Sequence, residues 1–509
     1  MYDMMLPRNY YLDGKKLIKI YSQKPEEFWL KSGKQRALTL FHEMAHRVPA
    51  YKKFLKNNGI NPRSIKTDSD FKYIPTIDKD TYLRKHDLSE LCWDGKLSKG
   101  QWTISATSGS TGEPFYFPRT KDQDLQYAAV AEAYLLTNFQ IDKKSTLYIV
   151  GFPMGVWIGG MFTYQALRYI AERGNYNLSV ITPGINKEEI IKAVKKLGHY
   201  YDQIIIGSYG PFLKDILDDG EAQGIDWKKY HMRFIFSAEG FTEKFRDYVL
   251  KKVNVRDIYT STLNHYGTVD LGTMSYETPM SIYIRRKALE NKKLYGALFD
   301  KSHRLPTFTQ YDPLLFYFEQ NRENRLLCSA YSGIPLIRYD LKDNGGVKTF
   351  TEVNDIFKSH GVNLKKEIIK NKLGATLWKL PFVYVYERSD FSVSFHAFQI
   401  YPETIRKALQ RDEIENSITG KFTMMVKFDK GQNQIFEVNV EMKKGIRHSI
   451  KLEKEVQKHV LDQLIHESSE YRETFRLKGN RVLPRIVLWL YEDLLYFKPG
   501  TKQKWVKNV

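Results

Sequence analysis

Residues 103–120, TISATSGSTGEPFYFPRT, decide how the rest of the chain is read. A β-prone start (Trp102, Thr103, Ile104) runs into Thr107-Ser108-Gly109-Ser110-Thr111-Gly112-Glu113-Pro114, then into Phe115-Tyr116-Phe117. Small hydroxyl residues alternating with glycines let backbone amides converge with little Cβ interference, which suits a loop closing over phosphate oxygens. The competing reading is a Ser/Gly linker. A Walker A loop is excluded, because the stretch lacks the lysine of G-x-x-x-x-G-K-[ST].

With 509 residues the chain has room for more than one domain. A hydrophobic share of 42%, with 14% aromatic residues, supports large cores and excludes a disordered polymer. The balance of 79 basic against 59 acidic residues, net +20, attracts anions such as ATP, coenzyme A, an acidic carrier protein or nucleic acid. No nucleic-acid module accompanies the charge, so it is not read as nucleic-acid binding. Two cysteines, Cys92 and Cys328, make no disulfide framework and fit a reducing cytoplasm. The start, MYDMMLPRNYY, lacks the basic–apolar–small order of a signal peptide, so none is expected. Residues 145–167 carry no charge, yet Gly151, Pro153, Gly155, Gly159 and Gly160 interrupt them. They read as strand, turn and buried helix, not as a membrane span.

Residues 1–100 read as mainly helical, and 34–58 hold apolar residues at helical spacing until Pro49 interrupts. His42-Glu43-Met44-Ala45-His46 is a literal H-E-x-x-H, a possible zinc pair on one helix face. With no third ligand pattern and Pro49 close behind, it counts as a chance match. Beyond a helix at 122–138, strands and helices alternate: VITPGI (180–185), helix 187–198, strand–turn–helix over 202–220, FIFSAEG (234–240) and helix 242–252. That alternation predicts an α/β domain with largely parallel pairing, whose ligands gather beyond the carboxyl ends of strands.

Three further stretches carry polar groups at such ends. Ser237-Ala238-Glu239-Gly240 ends a buried strand. Tyr266-Gly267 followed by Asp270 puts an aromatic face and a carboxylate on one short turn, fit for a purine and for Mg²⁺ beside phosphates. PLIRYDLKDNGG (335–346) brings Arg338, Asp340 and Asp343 before two glycines; an acid at a strand end suits two ribose hydroxyls, and otherwise the stretch is a polar turn. The lysine-rich 350–375 reads as a solvated helical excursion, and FVYVYERSD (382–390) as a strand that stops at Glu387-Arg388-Ser389-Asp390. A helix near Pro402, a hairpin around DKGQNQ, helix 452–469 and strand 484–492 then make a small α+β domain. No internal repeat or low-complexity tract is present.

Taken in order, these stretches resemble the adenylate-forming enzymes, the acyl-CoA synthetase and adenylation-domain superfamily. The wording is closest to the phenylacetate–CoA ligase branch with its capsule-biosynthesis relatives, and VPAYKKFLKNNGI (48–60) is similar to that branch too. The resemblance implies a large α/β N-terminal domain of stacked sheets with helices and a small, mobile α+β C-terminal domain. Its boundaries would be a helical segment at 1–100, a nucleotide- and acid-binding part at 101–387, and the small domain at 388–509. It implies phosphate binding by Thr107, Ser108, Gly109, Ser110, Thr111 and Gly112, and adenine contact at Ala238, Glu239 and Gly240. Tyr266, Gly267 and Thr268 with the metal-binding Asp270 resemble Y-G-x-[ST]-E; Arg338 to Asp343 resembles R-Y-R-T-G-D, with Asp343 on the ribose. Arg388 would lie near the nucleotide and Asp390 at the hinge. The closing KPGTKQKWVKNV (498–509) resembles the family's lysine-bearing end, which points to Lys502, with Lys504 as its rival, as catalytic together with Thr107 and Asp270.

Departures are visible as well. Val269 replaces the usual hydroxyl residue, Asp270 stands for glutamate, Leu341-Lys342 replace Thr-Gly, and Phe391–Phe395 holds no glycine after the hinge. The implied activity is AMP-forming ligation of a carboxylic acid with ATP and Mg²⁺, the acyl group passing to coenzyme A or a carrier-protein thiol. Alternatives are amide, ester or adenylylated products, or a nucleotide-binding scaffold. Phe152, Trp157, Tyr209 and Leu263–His265 are the acid-pocket candidates, a homodimer is compatible, and the expected location is cytoplasmic.

Overall fold

The computed structural model describes residues 13–107, 114–238, 240–299, 305–388, 392–497 and 506, without the side chains of 68, 211, 387 and 388. They fall into two compact units: Met1–Ser105 with Tyr116–Glu387, and Ala106–Phe115 with Arg388–Val509.

The first unit begins with helices Gly14–Gln23, Glu26–Arg47 and Pro49–Asn57. Pro49 ends one helix and opens the next at its first turn, where a missing N–H costs nothing. His42 and His46 lie exposed on the second helix, and among the described residues no three His, Cys, Asp or Glu side chains gather as a metal site. A two-stranded ribbon follows, β1 (Thr103–Ala106) with β2 (Tyr116–Arg119).

The centre of this unit is a sheet built from β3 (Thr146–Val150), β4 (Leu178–Ile181), β5 (Gln203–Ser208), β6 (Met232–Phe236), β7 (Thr262–Thr268), β8 (Gly272–Tyr276), β9 (Thr307–Gln310), β10 (Phe316–Gln320), β11 (Arg325–Ala330), β12 (Leu336–Lys348) and β13 (Phe382–Arg388). Its order is β10-β11-β12-β13-β9-β8-β7-β6-β5-β3-β4. The run from β4 to β7 is parallel, whereas β7–β8, β8–β9, β9–β13, β12–β11 and β11–β10 pair antiparallel. TLYIV in β3 and QIIIGS in β5 are buried throughout, as central parallel strands covered on both faces should be. Helices Ile158–Gly174, Lys187–Leu197, Gly210–Ala222 and Glu243–Lys252 connect them. The uncharged stretch at 145–167 is therefore β3, a turn and the start of a helix. No helix among the described residues is long and apolar enough to cross a membrane.

The 350–375 segment is not the solvated excursion expected from its lysines. Helices Phe350–Ser359 and Leu364–Lys370 turn Phe350, Val353, Phe357, Leu364 and Ile368 into a core with Phe308 and Phe382. Lysines crowd the other face, and their charge masked the apolar stripe in the sequence.

In the second unit β14 (Val393–Phe395) pairs with β15 (Phe398–Ile400). The hairpin of β16 (Ile418–Phe428) and β17 (Gln434–Met442) takes β18 (Arg485–Trp489) alongside in parallel. Helices Pro402–Leu409, Ile450–Glu467 and Ser469–Lys478 close over Phe422, Met424, Phe436, Val438, Val456 and Val460.

Candidate functional site

The parallel strands of the first unit deliver four chain segments at their carboxyl ends, where open α/β sheets bind ligands. They are Gly151-Phe152 after β3, Tyr209 after β5, Ser237-Ala238 after β6, and the Tyr266–Asp270 stretch that ends β7. Ala238 sits at φ 75°, in the left-handed region, which opens this turn sharply after β6.

Tyr266 and Asp343, 77 residues apart, are joined: the phenol donates to Asp343 Oδ2 at 2.6 Å, and both residues are buried. An aromatic face and a carboxylate thus stand side by side. Gly267 cannot be replaced cheaply, since a Cβ there would fall 2.6 Å from the Gly272 carbonyl oxygen across the hairpin. Thr268 Oγ1 accepts from Leu271 N at 3.3 Å and so is used within the turn. Asp343 lies inside the long strand β12, not at a strand end or in a polar turn as expected. Within that strand Arg338 (φ 48°) and Lys342 (φ 61°) take left-handed angles that interrupt its regular path. Lys342 adopts this left-handed angle at the position where the resembled motif carries glycine.

Asp270 is reached from two directions. Lys79 Nζ lies 3.1 Å from its Oδ1, and the Tyr339 hydroxyl donates to its Oδ2 at 2.6 Å. A second, crossed pair sits beside it, Lys342 Nζ donating to Asp78 Oδ2 at 2.6 Å. Segment 77–79 can do both because Ile77 runs parallel to Tyr339 as a bridge, with Asp340 N donating to Ile77 O at 2.8 Å. Burial pushes the Asp78 carboxyl up, but hydrogen bonds from Lys342 and Thr81 outweigh it and hold the group down at about 2. Burial opposes the charge of Lys342, yet its two aspartate partners leave its pKa raised.

A divalent ion beside phosphates demands oxygen ligands about 2.1 Å away in near-octahedral array. Here one carboxylate oxygen faces an ammonium and the other a phenol. As arranged, Asp270 does not fit a Mg²⁺ site.

Phe152 and Leu263 are packed in the hydrophobic core, and Tyr209 stacks on Phe212 with ring centroids 5.5 Å apart. Trp157 is half-buried. His265 is buried against Tyr134, at 5.1 Å between ring centres, and burial pushes its imidazole down to about 3, so it is neutral. In the second unit Thr107 and Phe115 clasp each other, Thr107 N donating to Phe115 O and Phe115 N to Thr107 Oγ1, both at 2.9 Å. This closes the neck of the phosphate-loop candidate. Ser108, Gly109, Ser110, Thr111, Gly112, Glu239, Asp390, Lys502 and Lys504 lie outside the described residues, as does the side chain of Arg388. Sequence reasoning missed Asp78, Lys79 and Tyr339. The only signal was the adjacent opposite charges of I-D-K (77–79), whose partners lie far along the chain.

No family model and no curated relative matches the sequence. Solved structures do. A crystal structure of 2-hydroxyisobutyryl-CoA ligase in complex with 2-HIB-AMP and CoA in the thioesterification state superposes with a TM-score of 0.61 at 14% identity, covering 96% of this chain and 91% of that one. This is the adenylate-forming enzyme fold. The same ligase in the postadenylation state, with 2-HIB-AMP, gives a TM-score of 0.51 at 12% identity over 96% of this chain and 92% of that one. Within this fold the Tyr266–Asp270 and Tyr339–Asp343 stretches are brought together by the Tyr266–Asp343 and Tyr339–Asp270 hydrogen bonds.

Proposed function

We propose that the chain is an ATP-dependent, AMP-forming ligase that adenylates a small carboxylic acid and passes the acyl group to a thiol, that of coenzyme A or a carrier protein. The observation that carries this reading is the Tyr266–Asp343 hydrogen bond, which joins two distant stretches beside the carboxyl ends of the parallel strands. The fold likeness adds support, since the similar ligase was solved with 2-HIB-AMP and CoA.

A carboxylate is a poor electrophile, because its charge repels nucleophiles and oxide is a poor leaving group. Attack of a carboxylate oxygen on the α-phosphorus of ATP forms an acyl–phosphate bond and releases pyrophosphate. A thiol sulfur then attacks the acyl carbon, AMP leaves, and the thiol proton passes to solvent. Such steps are promoted by alignment and by neutralising phosphate charge. In the proposal Asp343 accepts from the ribose hydroxyls and Tyr266 offers its ring to adenine, with Ala238, Glu239 and Gly240 at the base edge. Amides and hydroxyls of 107–112 meet the phosphates. Gly267 and Thr268 shape the hairpin, Arg388 is assigned to the nucleotide, Asp390 to the hinge, and Lys502 or Lys504 to the adenylation step. Magnesium enters only as the counter-ion that ATP carries. The subtype is that of a phenylacetate–CoA ligase, working in the cytoplasm.

ATP–pyrophosphate exchange across a panel of aliphatic and aromatic acids tests the reading. Acid-dependent exchange that Lys502→Ala or Lys504→Ala reduces at least about a hundredfold supports it. Nucleotide binding without exchange for any acid would leave a non-catalytic scaffold, the alternative favoured by Val269 and by the engaged Asp270.

A further inference from the structure

The carboxylate that the resembled motif reserves for a metal is already served by the chain itself. Its two oxygens take an ammonium at 3.1 Å and a phenol at 2.6 Å, and its side chain is only 6% exposed. The ammonium is not a stray surface group. Lys79 follows Asp78, which is pinned by Lys342, by Thr81 and by its own turn, and Ile77 is bridged to Tyr339. The backbone that precedes Lys79 is therefore tied to β12. At 29% exposure the Lys79 side chain still reaches solvent, and an ammonium has three donors, of which the Asp270 contact uses one.

We propose that Lys79 supplies, as a fixed protein cation, the positive charge beside Asp270 that a divalent ion would otherwise provide, and that its remaining donors face nucleotide phosphates. The inference rests on the nucleotide reading above and names a positioning and binding residue for it. A lysine in this place acts as a compact point charge that needs no metal to be recruited. It also accounts for the shorter acid at 270. The partner of Asp270 is an ammonium at hydrogen-bond distance, and Tyr339 fills the second oxygen, so neither oxygen has to reach a metal. Bound ATP would carry its own Mg²⁺ without a protein ligand at this position.

Two measurements on the full-length protein test the proposal. The first titrates Mn²⁺ into wild type and Asp270→Asn, following the free-ion electron paramagnetic resonance signal. The expected result is no Asp270-dependent uptake tighter than about millimolar. Stoichiometric uptake that Asp270→Asn abolishes would overturn the proposal. The second measures ATP affinity calorimetrically in EDTA, where no divalent ion can contribute. Lys79→Met should weaken binding about tenfold and Lys79→Arg should restore most of it, as one charge-assisted contact predicts. Equal affinity in wild type and Lys79→Met would overturn the assignment to phosphates. If no variant binds any adenine nucleotide, the ligase reading fails, while the Mn²⁺ titration still decides whether Lys79 or a metal serves Asp270.

Discussion

The two ends of strand β7 are held by ion pairs of different kinds. Behind its start, the fully buried Arg246 joins Glu243 at 2.9 Å and Glu277 at 2.8 Å and donates to the Thr262 hydroxyl, while Glu277 accepts from Asn264 N at 2.8 Å. Arg285 and Arg286 complete this cluster around Glu243. Burial pushes the Glu243 carboxyl up, yet the arginines hold it down at about 2. At the far end, Lys79 pairs with Asp270 and Lys342 with Asp78 and, at 3.5 Å, Asp340, with both lysine side chains 29% exposed. The closed cluster pairs both buried carboxylates with arginines and anchors the strand. The open one keeps its ammonium groups within reach of an anionic ligand. The proposed phosphate role of Lys79 requires the second kind, held in place by the first.

That contrast can be broken at either end. Arg246→Met should cost the most, about 3–5 kcal/mol in urea unfolding, because it takes the close cationic partner from the buried Glu277 and one of three arginines from Glu243. A loss below about 1 kcal/mol would mean that the cluster is no firmer than a surface pair. Lys342→Met should cost under about 1 kcal/mol, since the pair is partly exposed. Its effect should depend on pH. The folded Asp78 value, about 2, lies below the ordinary 3.8, so its contribution is full above pH 3.8 and fades as pH falls towards 2. Wild type and Lys342→Met should therefore differ near neutrality and converge in acid. Curves that stay parallel down to pH 2 would remove the Asp78–Lys342 coupling from the account.

Much of this was legible in the sequence. Continuous apolar runs such as TLYIV and QIIIGS, separated by amphipathic helices, declare a parallel α/β sheet because only strands buried on both faces read that way. The Tyr266 and Asp343 stretches were visible as local motifs. Their contact was not, since no local pattern reports a pairing across 77 residues. The Lys79–Asp270 pair was hidden for the same reason, and because a lysine between two aspartates, Asp78 and Asp80, reads as a solvated charged turn. Leu341-Lys342 read as the loss of a flexible glycine. The strand instead keeps the left-handed angle at Lys342, and the Asp78 contact holds it there.

The central claim is that the Tyr266–Asp343 pair is where a nucleotide's ribose sits. Its most direct test compares the affinities of ATP and 2′,3′-dideoxy-ATP for wild type and Asp343→Ala. Hydrogen bonds to a carboxylate contribute about 1.5–3 kcal/mol, so wild type should prefer ATP at least about tenfold. Asp343→Ala should bind both equally, at the weaker level. An Asp343→Ala protein that still prefers ATP to the same degree would contradict the account.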